Sequence, residues 1–147
     1  MGTSGPQLSI LLVDDSEDDA LMAKHAFAKL AIPHQLQVVT DGREALDYLN
    51  CCGNFSGRKR TMPDLLLLDI NMPGMDGFAL LKALKTDKAL RKIPVVMLTT
   101  SSSREDVARS YECGAASFLT KPDSFDGYHA LMGQFSSYWM SVSLLPE

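Results

Sequence analysis

Five short apolar runs punctuate the chain: Leu8–Val13, Leu36–Val39, Leu65–Leu68, Pro94–Leu98 and Ala116–Leu119. Each is too short for a typical helix, is rich in Leu, Ile or Val, and is bounded by polar or turn residues, which predicts strands. Continuous apolar runs, rather than strict alternation, predict strands covered on both faces. Between the runs the apolar period lengthens to three and four. Ala20, Ala23, Phe27 and Leu30 mark a first helix that Pro33 stops. Asp41-Gly42 opens a second with Ala45, Leu46 and Leu49, and Asp76 caps a third with Phe78, Leu81 and Leu84. Ser102 or Ser103 caps a fourth, and Phe125, Tyr128, Met132, Phe135 and Trp139 mark a fifth. This repeated alternation predicts an α/β fold, a parallel sheet with helices on both faces.

The chain has 147 residues, enough for one domain with a complete core. Residues 1–7 are small and polar with Gly and Pro, and read as a flexible leader or cloning remnant. An insertion from about 51 to 62, with Gly53, Gly57 and the basic run Arg58-Lys59-Arg60, lengthens the link into the third strand and reads as a solvated loop. A net charge of −4 argues against a nucleic-acid-coating surface. No apolar run approaches the roughly 20 residues of a membrane span, and no signal peptide is present, so neither nucleic acid nor membrane is an expected partner. Pro6 stands where a myristoylation signal needs Ser or Thr. Cys51, Cys52 and Cys113 form no metal-ligand spacing and suit a reducing, cytoplasmic location.

Chemistry gathers where the strands end. The first ends in Asp14-Asp15, the third in Asp69, the fourth in Thr99-Thr100 and the fifth in Lys121. In an open parallel sheet these ends share one edge, where ligands bind. A flavodoxin-like (βα)5 doubly wound sheet, strand order 2-1-3-4-5, sets the first and third strands side by side and brings Asp14, Asp15 and Asp69 together. Two carboxylates about 4 Å apart repel by roughly 4 kcal/mol at an effective dielectric of 20. Such a cluster protonates, captures a cation or faces a positive side chain. All-oxygen ligands suit a hard divalent ion, Mg²⁺ above all. With Lys121 as a fixed ammonium and Thr99 as a hydroxyl donor, the set suits a phosphoryl group that an aspartate accepts. Singly, the features have plainer explanations: acids in a first helical turn, turn chemistry before Pro73-Gly74, a strand exit at Lys121-Pro122. Jointly, at the ends of separate strands, those explanations do not cover them.

Leu11-Leu12-Val13-Asp14-Asp15, Leu68-Asp69-Ile70-Asn71-Met72-Pro73-Gly74-Met75-Asp76-Gly77, Leu98-Thr99-Thr100 and Leu119-Thr120-Lys121-Pro122 resemble the receiver domain of two-component response regulators. The resemblance runs from about Leu8 to Trp139, within a domain spanning residues 8–140. It implies that Asp69 is the phospho-acceptor, taking its phosphoryl group from a sensor histidine kinase. It implies Mg²⁺ bound by Asp15, Asp69 and the backbone carbonyl of Asn71, with Asp14 acting through water. Lys121 would contact the phosphoryl oxygens, Thr99 would swing toward them, and Phe118 would be the aromatic that turns inward. Asn71 and Ser101 match positions that tune dephosphorylation. The insertion, the Leu98–Ser101 stretch and the ending through Tyr138, Trp139, Leu144 and Leu145 are similar to small single-domain regulators paired with phytochrome kinases. That likeness implies a homodimer through the fourth helix, fifth strand and fifth helix, with residues 141–147 as a C-terminal arm. Packing of those tail residues on their own domain is the other reading.

Phosphorylation is thus expected to switch a binding or dimerisation face, with no output domain after the last helix. Such a protein is not an enzyme beyond catalysing its own phosphorylation and dephosphorylation. The rival from another class is a haloacid-dehalogenase-like phosphatase or phosphotransferase with an Asp nucleophile. It requires Asp-x-Asp, whereas Asp69-Ile70-Asn71 carries Asn. A calcium loop starting at Asp69 fails at Pro73 and Leu80, and no nucleotide-binding glycine motif occurs.

Overall fold

Strand β3 (Leu65–Leu68) is buried along its whole length, because it runs through the middle of a five-stranded sheet. The computed structural model describes residues 7–30, 34–59, 61–100 and 103–139. The other strands are β1 (Leu8–Val13), β2 (His34–Val39), β4 (Val95–Thr99) and β5 (Ser117–Thr120). They alternate with α1 (Glu17–Ala28), α2 (Gly42–Asn50), α3 (Gly77–Thr86), α4 (Arg104–Glu112) and α5 (Phe125–Ser137). The order is β2-β1-β3-β4-β5 with every pair parallel, the flavodoxin-like arrangement expected.

Side chains of successive strand residues point to opposite faces, so each central strand feeds two cores. Leu11, Val13, Leu66, Leu68 and Met97 pack with Ala45 and Leu49 of α2 and Phe78 and Leu81 of α3. Ile10, Leu12, Leu65, Leu67 and Leu98 pack with Ala20, Ala23 and Phe27 of α1 and Tyr128, Met132 and Phe135 of α5. Each fully buried Leu contributes about 1.5–3 kcal/mol, which makes the central strands the rigid frame of the molecule.

Every α-helix opens on a side-chain cap. Ser16, Asp41, Asp76, Ser103 and Ser124 accept from the amides of Asp19, Glu44, Ala79, Asp106 and Gly127. The fourth cap is therefore Ser103 rather than Ser102, which lies outside the described residues along with Pro33. Each cap is worth about 1 kcal/mol and sets where the chain turns from the sheet edge into its helix.

Three expectations need correction. Coverage on both faces holds for β1, β3 and β4 but not at the edges. Gln35 and Gln37 of β2 are exposed, and the described side chains of β5 are half-buried or exposed, because an edge strand has a neighbour on one side only. Phe125 is not core: it is 53% exposed, meeting His25 edge-on at 5.5 Å. The insertion is not simply a solvated loop. Arg58 lies 3.7 Å above the Tyr48 ring and donates to the Tyr48 carbonyl at 2.6 and 3.2 Å, closing the end of α2. Phe55, in a short 3-10 turn (Gly53–Phe55), meets the same tyrosine edge-on at 5.1 Å. Lys59 is exposed as expected, and Arg60 lies outside the described residues.

Candidate phosphoryl-transfer site

The sheet ladder continues one residue beyond three strand ends, and those residues form the site. The Asp14 amide donates to Val39 O at 3.0 Å, that of Asp69 to Val13 O at 3.0 Å, and that of Lys121 to Thr99 O at 2.8 Å. Interstrand hydrogen bonds thus hold the site backbone, and the side chains converge above the sheet. Asp14 is 2% exposed, Asp69 6% and Thr99 0%.

Lys121 organises the cluster. Its Nζ lies 2.8 Å from Asp14 Oδ2, 2.8 Å from Asp19 Oδ2 and 3.3 Å from Asp69 Oδ2. An ammonium has three protons, and here three carboxylates face it. Burial disfavours the charge on Lys121, but its hydrogen bonds to Asp14 and Asp19 and the charges of Asp14 and Asp69 prevail and hold its pKa above the usual lysine range. Burial pushes the Asp14 carboxyl up, outweighing the Lys121 hydrogen bond and the Ser16 amide, which donates to Asp14 Oδ1 at 2.9 Å.

Asp14, Asp15 and Asp69 each offer a carboxylate oxygen, all within 4.8 Å of one another. Asp15 is exposed, giving solvent access to the group. One ammonium does not neutralise this much negative charge. The donors are all oxygen, so the residues fit a hard divalent cation.

The structure thus brings together Asp14, Asp15, Asp69 and Lys121. Thr99 is buried at the end of the neighbouring strand, and Asn71 lies exposed in the loop after Asp69. Phe118 is half-buried on β5 against the α2–α3 core. Tyr138 and Trp139 stand apart at the end of α5, edge-on to each other at 5.1 Å, beside a groove of about 330 Å³ bordered by Ala116 and Leu119. Ser101, Leu144 and Leu145 lie outside the described residues.

Two residues escaped the sequence reading. Asp19 has the ordinary signature of an acid in a helix's first turn, and only the crossing of α1 beside the β5 exit reveals it as a Lys121 partner. Gly77 appeared only as the last residue of the motif that begins at Leu68, with no role of its own. A Cβ there would collide with the Asp69 carbonyl oxygen and come within 2.7 Å of Ile70 Cα, so α3 seats directly on the backbone carrying Asp69.

The comparisons converge on one family. The model of the response regulator receiver domain matches residues 10–131. Response regulator Rcp1 of Synechocystis is 35% identical over 143 residues, covering 97% of this chain and 96% of its own. The phosphorylated cyanobacterial phytochrome response regulator RcpA superposes with a TM-score of 0.87 at 34% identity, covering 97% of this chain and 100% of that one. The Mn(2+)-bound form of Rcp1 superposes with a TM-score of 0.84 at 34% identity, covering 95% of this chain and 99% of its own. Among the described residues no helix is long and apolar enough to cross a membrane. With the strand order, the acidic edge and the paired lysine all in agreement, this chain belongs to the response regulator receiver domain family and is a signalling protein of two-component type.

Proposed function

We propose that Asp69 accepts a phosphoryl group from the phosphohistidine of a sensor histidine kinase of phytochrome type. The observation that carries this is Lys121 Nζ at 3.3 Å from Asp69 Oδ2, beside two further carboxylates at the mouth of the sheet. Lys121 holds Oδ2, and Oδ1 attacks phosphorus. An O–P bond forms as the donor's N–P bond breaks, and the imidazole leaves with the electron pair. Asp14 is the poorer nucleophile, because it is the most buried acid and carries both the Ser16 amide and Lys121.

Asp15, Asp69 and the Asn71 backbone carbonyl would hold Mg²⁺, with Asp14 acting through water, and the bound ion would neutralise phosphoryl oxygens. Lys121 neutralises the same oxygens from the protein side. Phosphorylation and dephosphorylation are both self-catalysed; in the second, water attacks phosphorus and the Asp69 carboxylate leaves, at a rate that Asn71 and Ser101 set. The phosphoryl group carries about −1.5 to −2 where the Asp69 carboxylate carried a single charge, and its oxygens draw the Thr99 hydroxyl toward them, which frees room for the Phe118 ring. That reshapes the face of α4, β5 and α5, where we place the homodimer, with Tyr138, Trp139, Leu144 and Leu145 contributing. The domain spans residues 8–140 and, with three free cysteines, works in the cytoplasm.

The test is uptake of a small phosphodonor with Mg²⁺, read by intact mass. Asp69→Asn abolishes the gain, and uptake that persists in this variant removes Asp69 from the role. Offering several phosphorylated kinases in parallel and comparing initial transfer rates tests the phytochrome assignment; equal rates for all would overturn it.

A further inference from the structure

The ring of Tyr128 is fully buried, and its hydroxyl has no hydrogen-bond partner among the described residues. A buried, unpaired hydroxyl carries a desolvation cost that a phenylalanine of the same shape avoids. Nothing in the resting structure explains the oxygen.

Its surroundings suggest a use. Tyr128 lies in the first turn of α5, its amide bonded to Ser124 O at 3.0 Å, seven residues beyond Lys121. The ring packs in the core that holds Ala20 and Ala23 of α1, next to Asp19 in the chain. Burial first, and then the charge of Asp19, raise its hydroxyl pKa, with weaker effects from Lys121, Asp14 and Asp69. The hydroxyl therefore stands in the field of the ion cluster, and the packing of α1 along α5 brings the first turn of α1, which carries Asp19, to the core that holds the ring.

Lys121 has no proton to spare, since each of its three is matched by a carboxylate. A phosphoryl group on Asp69 adds new acceptors, so one old contact must lengthen. Asp14 is 2% exposed, so bulk water compensates it poorly if Lys121 leaves it. Movement toward a group on Asp69 keeps Nζ near Asp69. Asp19, with its side chain 24% exposed, is the partner left behind.

We propose that Tyr128 is a positioning residue for the phosphorylated state: Lys121 exchanges Asp19 for a phosphoryl oxygen, and the Tyr128 hydroxyl donates to the released Asp19 carboxylate. The exchange moves hydrogen bonds only and transfers no proton. It rests on Asp69 as acceptor and adds a latch that strengthens only on loading.

The probe is beryllofluoride with Mg²⁺, a phosphoryl mimic, titrated into wild type, Tyr128→Phe, Asp19→Asn and the double variant. Without the probe, Tyr128→Phe unfolds at or above the wild-type midpoint. With it, Tyr128→Phe binds about tenfold more weakly, the weight of one hydrogen bond to a charged group. Wild type shows a red-shifted tyrosine absorption difference on loading that Tyr128→Phe lacks. The two substitutions are coupled in the loaded state and additive in the unloaded one. Equal binding by wild type and Tyr128→Phe, an equal stability loss in both states, or a silent tyrosine spectrum overturns the latch while leaving Asp69 in place. Failure of wild type to bind the probe overturns both readings. Should a variant not fold, the wild-type difference spectrum decides.

Discussion

Lys121 Nζ lies 2.8 Å from Asp19 Oδ2, joining the exit of β5 to the first turn of α1 across 102 residues of sequence. The contact ties α1, which packs along α5, to the chemistry at the sheet edge. The site's electrostatics are therefore coupled to helix packing, and substitutions on either side should be felt on the other.

Asp14 illustrates the tension between site and stability. Its folded pKa lies above the ordinary Asp value of 3.8, so its contribution to stability is fully present below that value and lost as pH rises through the folded pKa. The ionised carboxylate is thus a burden at neutral pH. Asp14→Asn should unfold at a higher denaturant concentration than wild type at pH 7 in EDTA. The gap should close as pH falls through the acid range. Added Mg²⁺ should narrow the gap, because wild type, with the Asp14 carboxylate beside the ion, gains more from it than the variant, which keeps Asp15 and Asp69. Denaturation curves at several pH values check all three statements.

Lys121→Met removes the ammonium that three acids share. Stripping one partner from a buried ion pair costs about 3–5 kcal/mol, so a loss near 3 kcal/mol is expected after Asp14 takes up a proton. Beryllofluoride binding should collapse. The rise in melting temperature on adding Mg²⁺ should exceed that of wild type, since the ion replaces missing positive charge; calorimetry with and without the ion measures this.

Gly77→Ala drives a methyl into the Asp69 carbonyl, which flexible side chains cannot relieve. About 3 kcal/mol of destabilisation is expected, with phosphoryl uptake falling as Asp69 shifts. Gly133→Ala is the matched control. Its Cβ would meet only Leu30 Cδ2, at an ordinary 3.9 Å, so stability should rise by roughly 0.4–1 kcal/mol with uptake unchanged. Equal effects of the two would remove the close-approach argument.

Arg58→Ala should cost about 1–2 kcal/mol, from the lost stacking on Tyr48 and the uncapped carbonyl at the end of α2. Phosphoryl uptake should not change. A kinetic effect would show that the insertion reaches the site, which nothing in its contacts suggests.

How much of this was legible beforehand differs from residue to residue. Leu65–Leu68 could only be a strand covered on both faces, and the acids and the lysine at strand ends announced a shared edge. Gln35 and Gln37 interrupt the apolar pattern of β2, but the run Leu36–Val39 was expected to be covered on both faces and hid the strand's true start at His34, which pairing with Leu8 decides. Phe125 had the right spacing for core, but spacing does not say whether an opposing surface exists.

By itself the chain determined which segments become strands and helices, and that Asp14, Asp69 and Lys121 end on one rim. Those are consequences of local period, capping and parallel-sheet geometry. Tertiary structure alone decided that Asp19 joins Lys121, that Gly77 must lack a side chain, and that the Tyr128 hydroxyl is buried with no hydrogen-bond partner among the described residues. Each depends on how closely two elements distant in sequence approach, and such distances are set by the packed volume between them rather than by any pattern within either one.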